Sequence, residues 1–234
     1  MSSFNLSEQT SAQQVERSSF ISKVYGWMAL ALGVTAVTAM VVASSQTLTA
    51  IFLGNRIVFY ILLFAELGLV MGVTAAINRI SAMTATLLFA LYAMVNGLTL
   101  SAIFLIYTHT SIGTTFLITG GTFGIMSLYG YTTKRDLTSM GNLLVMVLIG
   151  MIIASLVNFF LKSTALHWII TYVGVIVFVG LTAWDTQKIK QIGEAGFADA
   201  DSRQKVAILG ALTLYLDFIN LFLLLLEIFG KRRD

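Results

Sequence analysis

The run from Val206 to Phe229, VAILGALTLYLDFINLFLLLLEIF, restricts the fold more than any other stretch of the chain. It is long enough to cross a bilayer, which takes about 20 apolar residues. Halfway along it sits Asp217, with Asn220 one turn later and Glu227 near the end. A carboxylate at mid-bilayer depth costs at least about 2.5–3.5 kcal/mol on insertion scales, so it has to face protein or water. At a period of 3.6 residues Gly210, Thr213, Asp217, Asn220, Leu224 and Glu227 share one stripe, and the opposite surface is Leu, Phe and Ile. Such a helix needs neighbours on all sides, and it is expected at the centre of a bundle.

The rest of the chain supplies those neighbours. Hydrophobic residues make up 57% of the sequence and charged residues only 11%, with a mean hydropathy of +0.88. Those values lie outside the soluble range and imply an all-α membrane protein. A β-barrel would show short alternating segments, and none is present. Seven transmembrane helices are expected at about Val24–Ala43, Ile57–Ile77, Thr84–Ile106, Ile112–Tyr131, Asn142–Leu161, Ala165–Trp184 and Val206–Phe229. They form a single domain over residues 24–234, preceded by a mobile polar segment over residues 1–23. The first run is longer than a signal-peptide core and is expected to be a retained span. The apolar TLTAIFL between spans one and two is expected in the interface or as a helix extension. With no proline, the spans should be continuous.

Charge sets the orientation. Nine lysines and arginines, among them Arg79, Lys134, Arg135, Lys188 and Lys205, fall on the N-terminal side of the membrane, against five on the other. Excess Lys/Arg marks the cytoplasmic face, so the N-terminus is expected inside and the C-terminus outside, with the KRRD tail pulling against that arrangement. A net charge of +3, scattered in this way, does not fit nucleic acid. The absence of cysteine excludes disulfides and thiol chemistry. Small-residue pairs at Gly68–Gly72, Gly120–Gly124 and Gly150–Ala154 are expected on helix contact faces.

Chemistry can reside in few places. Asp185 closes span six in GLTAWDTQKIK, and Asp217 lies in the next helix. The connection from Thr186 to Lys205 is short enough to make the two helices antiparallel neighbours. Asp217 nevertheless lies about 11 residues, or ~16 Å, into its span, so the pair can meet only if the helices are staggered or span seven starts outside the membrane. If they meet, one proton can be shared, because two nearby carboxylates resist both being charged, and the titration belongs to the pair. Two ionised carboxylates are also hard ligands suited to calcium. Otherwise Asp185 is a solvated helix end and Asp217 a structural hydrogen-bonding group. Glu66, mid-span in FAELGLVMG, either lines the same path or hydrogen-bonds to Asn96 or Asn158. Asn220 can line the path with Asp217. Arg79 is a topology marker that could also serve as a counter-ion. His109 and His167 fall at the outer boundary, and Glu227 is close enough to it to snorkel.

The C-terminal segment GLTAWDTQKIK…LGALTLYLDFINLFLLLLEIFG resembles the Bax inhibitor-1 family of transmembrane Bax-inhibitor-motif proteins, in its bacterial branch. The LYLDFINLF core, the aspartate with its Gln-x-Ile turn, and SLYGYTTKRDLTSMGN carry the resemblance, which extends over nearly the whole chain from about residue 20. It implies seven helices with the last surrounded by the other six. It also implies a pH-sensitive calcium leak in the inner membrane, with Asp185 and Asp217 as proton sensor and transient calcium ligands. Arg79 takes the place of the arginine that latches the second aspartate, and Glu66 stands where relatives carry a span-two glutamate. No cofactor and no enzymatic activity are expected; the partners are the bilayer and calcium ions.

Other functions fit less well. An intramembrane aspartyl protease would carry YD, then GxGD, then a Pro-Ala-Leu motif, whereas this chain has WD, LYLD and no proline. A retinal protein needs a lysine in span seven, which has none. The alternative is a membrane regulatory protein that binds a protease or secretion complex and conducts no ions itself.

Overall fold

The computed structural model describes residues 2–233, with side chains from Ser18 onward. The helices are α1 (Ser2–Ser44), α2 (Gln46–Phe52), α3 (Arg56–Ala76), α4 (Ala82–Leu100), α5 (Ile103–Ile106), α6 (His109–Thr132), α7 (Thr138–Leu161), α8 (Thr164–Ala195) and α9 (Ala200–Phe229). Seven helical segments are long and apolar enough to cross a membrane: Ser18–Ser44, Arg56–Ala76, Ala82–Ile106, His109–Thr132, Thr138–Leu161, Thr164–Ala195 and Ala200–Phe229. Among the described residues there is no strand, only an isolated antiparallel bridge between Tyr107 and Arg232.

Short polar residues stop and restart the helices, as expected where proline is absent. Asn55 Oδ1 accepts from Ile57 N at 2.9 Å, Asp136 Oδ1 from Thr138 N at 2.9 Å, and Asp199 Oδ1 from Ser202 N at 2.7 Å. Each satisfies a backbone donor that the first helical turn leaves without a partner. Backbone donation from Ser202 also holds the Asp199 carboxyl below the usual carboxylate range. Lys162 ends α7 in the left-handed conformation (φ 53°), and Asn158 Oδ1 accepts from Ser163 N at 3.0 Å across that turn. Asn158 is therefore a helix-end cap and not a partner of Glu66.

Two boundaries depart from the sequence expectation. The helix of the first span already runs ahead of Val24, within α1, and there Phe20 is 1% exposed and packs at a tilt against Phe197 with ring centroids 4.7 Å apart. The mobile segment expected over residues 1–23 falls mainly on residues whose side chains are not described. The connection expected from Thr186 to Lys205 is helical except over residues 196–199, where Gly196 (φ 80°) turns the chain. Polar residues there extend both helices beyond their apolar spans, and that supplies the stagger the two aspartates need.

The chain forms two compact units, Met1–Leu100 with Lys188–Leu212 and Ser101–Gln187 with Thr213–Asp234. In the first, α1 packs on α4: Thr35 Oγ1 donates to the Ala93 carbonyl at 2.9 Å, and a Cβ on Gly97 would meet Thr35 and Thr38. Asp201 Oδ1 accepts from Ala82 N at 3.0 Å, which caps α4. In the second unit Val177, Phe178 and Leu181 of α8 meet Leu221 and Leu225 of α9 in an apolar cluster. Phe116 and Phe123 of α6 pack edge-on against Phe218, with centroids 5.2 and 5.5 Å apart.

The last helix is the most enclosed of the seven. Of its most apolar window, 67% is buried, against at most 39% in any other span. Its apolar side is as enclosed as its polar stripe, with Leu214, Leu221 and Leu226 at 0–1% exposure. The expected GxxxG contacts do not occur: nothing lies within 4 Å of a Cβ built on Gly68, Gly72, Gly120, Gly124 or Gly150. On α6 the buried stripe is Ile112, Thr115, Thr119, Phe123, Ser127 and Gly130, which leaves Gly120 and Gly124 facing outward.

Candidate functional site

Asp185 is placed by the way α6 and α7 crowd against α8 around it, all within the second unit. A Cβ on Gly130 would run into the Ala183 backbone, and one on Gly141 into the Trp184 indole, so both helices approach α8 closely only because these positions are glycine. Two residues beyond Asp185, Gln187 is 6% exposed. Its Oε1 accepts from Leu137 N at 2.8 Å and its Nε2 donates to the Arg135 carbonyl at 2.8 Å. One side chain thus ties the TTKRDLT turn to α8. The two most distinctive sequence segments, one around Asp185 and one at residues 127–142, are the two halves of a single packing arrangement.

Asp185 and Asp217 meet. They are 7% and 5% exposed, and their carboxyl groups are hydrogen-bonded to each other. Such a bond needs a proton on one of the two, since a carboxylate only accepts. Asp217 Oδ2 is buried without a hydrogen-bond partner, as is Ser127 Oγ on α6. A buried polar atom left unpaired costs about 1–3 kcal/mol, so the site is not built for stability alone. Among the described residues no group of three or more His, Asp or Glu side chains could hold a metal.

The other candidates lie elsewhere. Glu66 belongs to the first unit, where Asn96 Nδ2 donates to its Oε2 at 3.2 Å and Thr99 Oγ1 to its Oε1 at 2.5 Å. Arg79, also in the first unit, is exposed beyond the end of α3 and makes no ion pair among the described residues. Asn220 is half-buried, and its Nδ2 donates to the Leu216 carbonyl at 2.8 Å, one turn back on its own helix. Glu227 does not snorkel. Its Oε1 lies 2.5 Å from His167 Nε2 and its Oε2 accepts from Thr171 Oγ1 at 3.1 Å.

A family model described as "Inhibitor of apoptosis-promoting Bax1" matches residues 17–234. The chain belongs to the Bax inhibitor-1 family. Among its relatives, the inner membrane protein YbhL of Escherichia coli strain K12 is 55% identical over 215 residues, 92% of each chain. A protein of Borreliella burgdorferi is 47% identical over 218 residues, 93% of this chain and 94% of the other. A membrane protein of Streptococcus pyogenes is 35% identical over 214 residues, 91% and 92% of the two chains. Membership and the seven apolar helices together make this a membrane protein of that family.

Sequence reasoning missed Gln187 and the glycines at 130 and 141, although all three lie inside the segments that carry the family resemblance. It also missed the His167–Glu227 pair. The available signal was antiparallel α8 and α9, which brings the start of one helix to the end of the other.

Proposed function

We propose that this Bax inhibitor-1 family protein is a pH-sensitive calcium leak pathway in the cell inner membrane, with the N-terminus cytoplasmic. The observation that supports it is the hydrogen-bonded Asp185–Asp217 pair, buried mid-helix with Asp217 Oδ2 unpartnered. With one proton shared, the pair carries a single charge and holds α8 to α9. Raising the pH removes that proton and leaves two repelling anions in a poorly hydrated site, which favours an arrangement with α8 and α9 separated there. The same deprotonation presents two hard oxygen ligands to a calcium ion, so gating and ion affinity change together.

Arg79 is the counter-ion that stabilises the ionised arrangement, and Asn220, one turn from Asp217, lines the path. Glu66 lies on the path only if it exchanges its Asn96 and Thr99 partners. The inner-membrane setting follows the name of YbhL. No cofactor and no catalytic step are needed: the chain conducts and is not an enzyme.

The test is calcium flux into liposomes that contain only this protein, measured across pH. A flux that steps upward with pH supports the reading. Its absence at every pH would favour a regulatory protein that acts by binding another membrane protein. Reporter fusions after Arg79 and Lys205 should read cytoplasm.

A further inference from the structure

The pair of aspartates is not the only titratable contact between α8 and α9. Near the start of α8, His167 Nε2 lies 2.5 Å from Oε1 of Glu227, near the end of α9. Thr171 Oγ1, one turn along α8, lies 3.1 Å from Glu227 Oε2 and 3.0 Å from the His167 carbonyl. A hydroxyl on the same helix face as the imidazole therefore fixes the carboxylate against it. The Trp168 ring meets His167 edge-on at 6.1 Å and stacks on Tyr172 at 5.7 Å, which limits the freedom of that first turn. Between this contact and the aspartates lies the apolar cluster of Val177, Phe178, Leu181, Leu221 and Leu225.

The two contacts differ in access. The side chains of His167 and Glu227 are 48% and 26% exposed, so protons exchange directly with the medium at that end of the second unit. The other ionisable side chains there are His109 and Tyr107 around the start of α6, Lys162 after α7, Tyr172 on α8, and Lys231, Arg232 and Arg233 after α9. The basic tail is held in place by bonds from Thr108 N to the Lys231 carbonyl at 3.0 Å and from Arg233 N to the Ile106 carbonyl at 2.8 Å. Glu227 is the one described acid at this end, and its partners are the His167 imidazole and the Thr171 hydroxyl.

We propose that His167, Glu227 and Thr171 form a second proton-binding site, which clamps α8 to α9 at the end opposite the aspartates and loosens as pH rises. A neutral imidazole donates an ordinary hydrogen bond, whereas the imidazolium makes a charge-assisted ion pair with Glu227. Imidazole changes charge between about pH 5 and 8, so the clamp is tightest on the acid side of that range. The site stands without the leak reading, because it concerns helix contact and not conduction.

The test is the melting temperature of the full chain in lipid nanodiscs between pH 5 and 8, in an Asp185→Asn, Asp217→Asn double background that removes both titratable aspartates. A rise of about 2–4 °C toward pH 5 is expected for a chain of this size gaining one charge-assisted contact. His167→Gln and Glu227→Gln should each remove that rise, and His109→Gln should keep it. If Glu227→Gln does not fold, Thr171→Val should reduce the rise by freeing the carboxylate. A rise that survives in both His167→Gln and Thr171→Val overturns the proposal, and so does no rise in the parent.

Discussion

Two carboxylates in the middle of apolar helices, half-buried Glu66 and buried Asp217, are treated in opposite ways. Glu66 in the first unit is met by donors on both oxygens, from Asn96 and Thr99 of the neighbouring helix. Asp217 in the second unit is met by another acid, and its Oδ2 has no partner. A carboxylate met by a donor on each oxygen acts as polar glue between helices. A carboxylate bonded to a carboxyl depends on one proton, and losing that proton turns the contact from attraction to repulsion. Depth in the membrane therefore does not distinguish a structural acid from a responsive one; the chemistry of the partner does.

The comparison breaks most sharply at Asp217. Asp217→Asn keeps the side-chain volume and can still hydrogen-bond to Asp185, but it cannot lose a proton. It should abolish the pH response of flux while the protein stays folded, whereas Glu66→Gln should leave that response in place. A pH step preserved in Asp217→Asn and lost in Glu66→Gln would reverse the roles.

Smaller effects sharpen the picture. Gly141→Ala puts a methyl group into the Trp184 indole next to Asp185, and overpacking of this kind costs about 1–3 kcal/mol. Its melting temperature in detergent should fall, while the same substitution at Gly120, where a Cβ meets nothing within 4 Å, should be silent. Glu66→Leu removes the acceptor of Asn96 Nδ2 and of Thr99 Oγ1 and should cost about 1–2 kcal/mol in thermal unfolding, the upper range for polar contacts in membranes. A neutral result would mean that these contacts add nothing to stability.

The smallest effect belongs to Asp136. Donation from the Thr138 hydroxyl, and then from its backbone N–H, holds that carboxyl below the usual carboxylate range. A group so held stabilises the fold above the ordinary aspartate value of about 3.9, and the contribution disappears as pH falls through that range. Asp136→Asn should therefore lower stability slightly at neutral pH, with the difference from wild type vanishing in acid.

The seven spans and the enclosed last helix were legible in the sequence because length, hydropathy and a misplaced charge are local signals, whereas spacing left open whether Asp185 and Asp217 meet and only the family resemblance paired them. The packing was less so. GxxxG pairs at 68–72 and 120–124 looked like contact faces, yet the glycines that permit close approach include 97, 130 and 141, each specified by the residue opposite and not by its own neighbours. The extension of α8 to Ala195 and of α9 back to Ala200 was hidden because a helix leaving the membrane becomes polar without ending. Glu227 read as a snorkelling side chain because its partner His167 lies 60 residues away, and no periodicity connects them.

The central claim is that Asp185 and Asp217 act as one unit. Calcium flux into protein-only liposomes, measured across pH for wild type, Asp185→Asn, Asp217→Asn and the double variant, tests it most directly. One shared proton predicts a step in the wild type, loss of that step in each single variant, and a double variant indistinguishable from either single, because interacting residues are not additive. Two single effects that add on a logarithmic scale would mean that the aspartates titrate independently, and the account would be wrong.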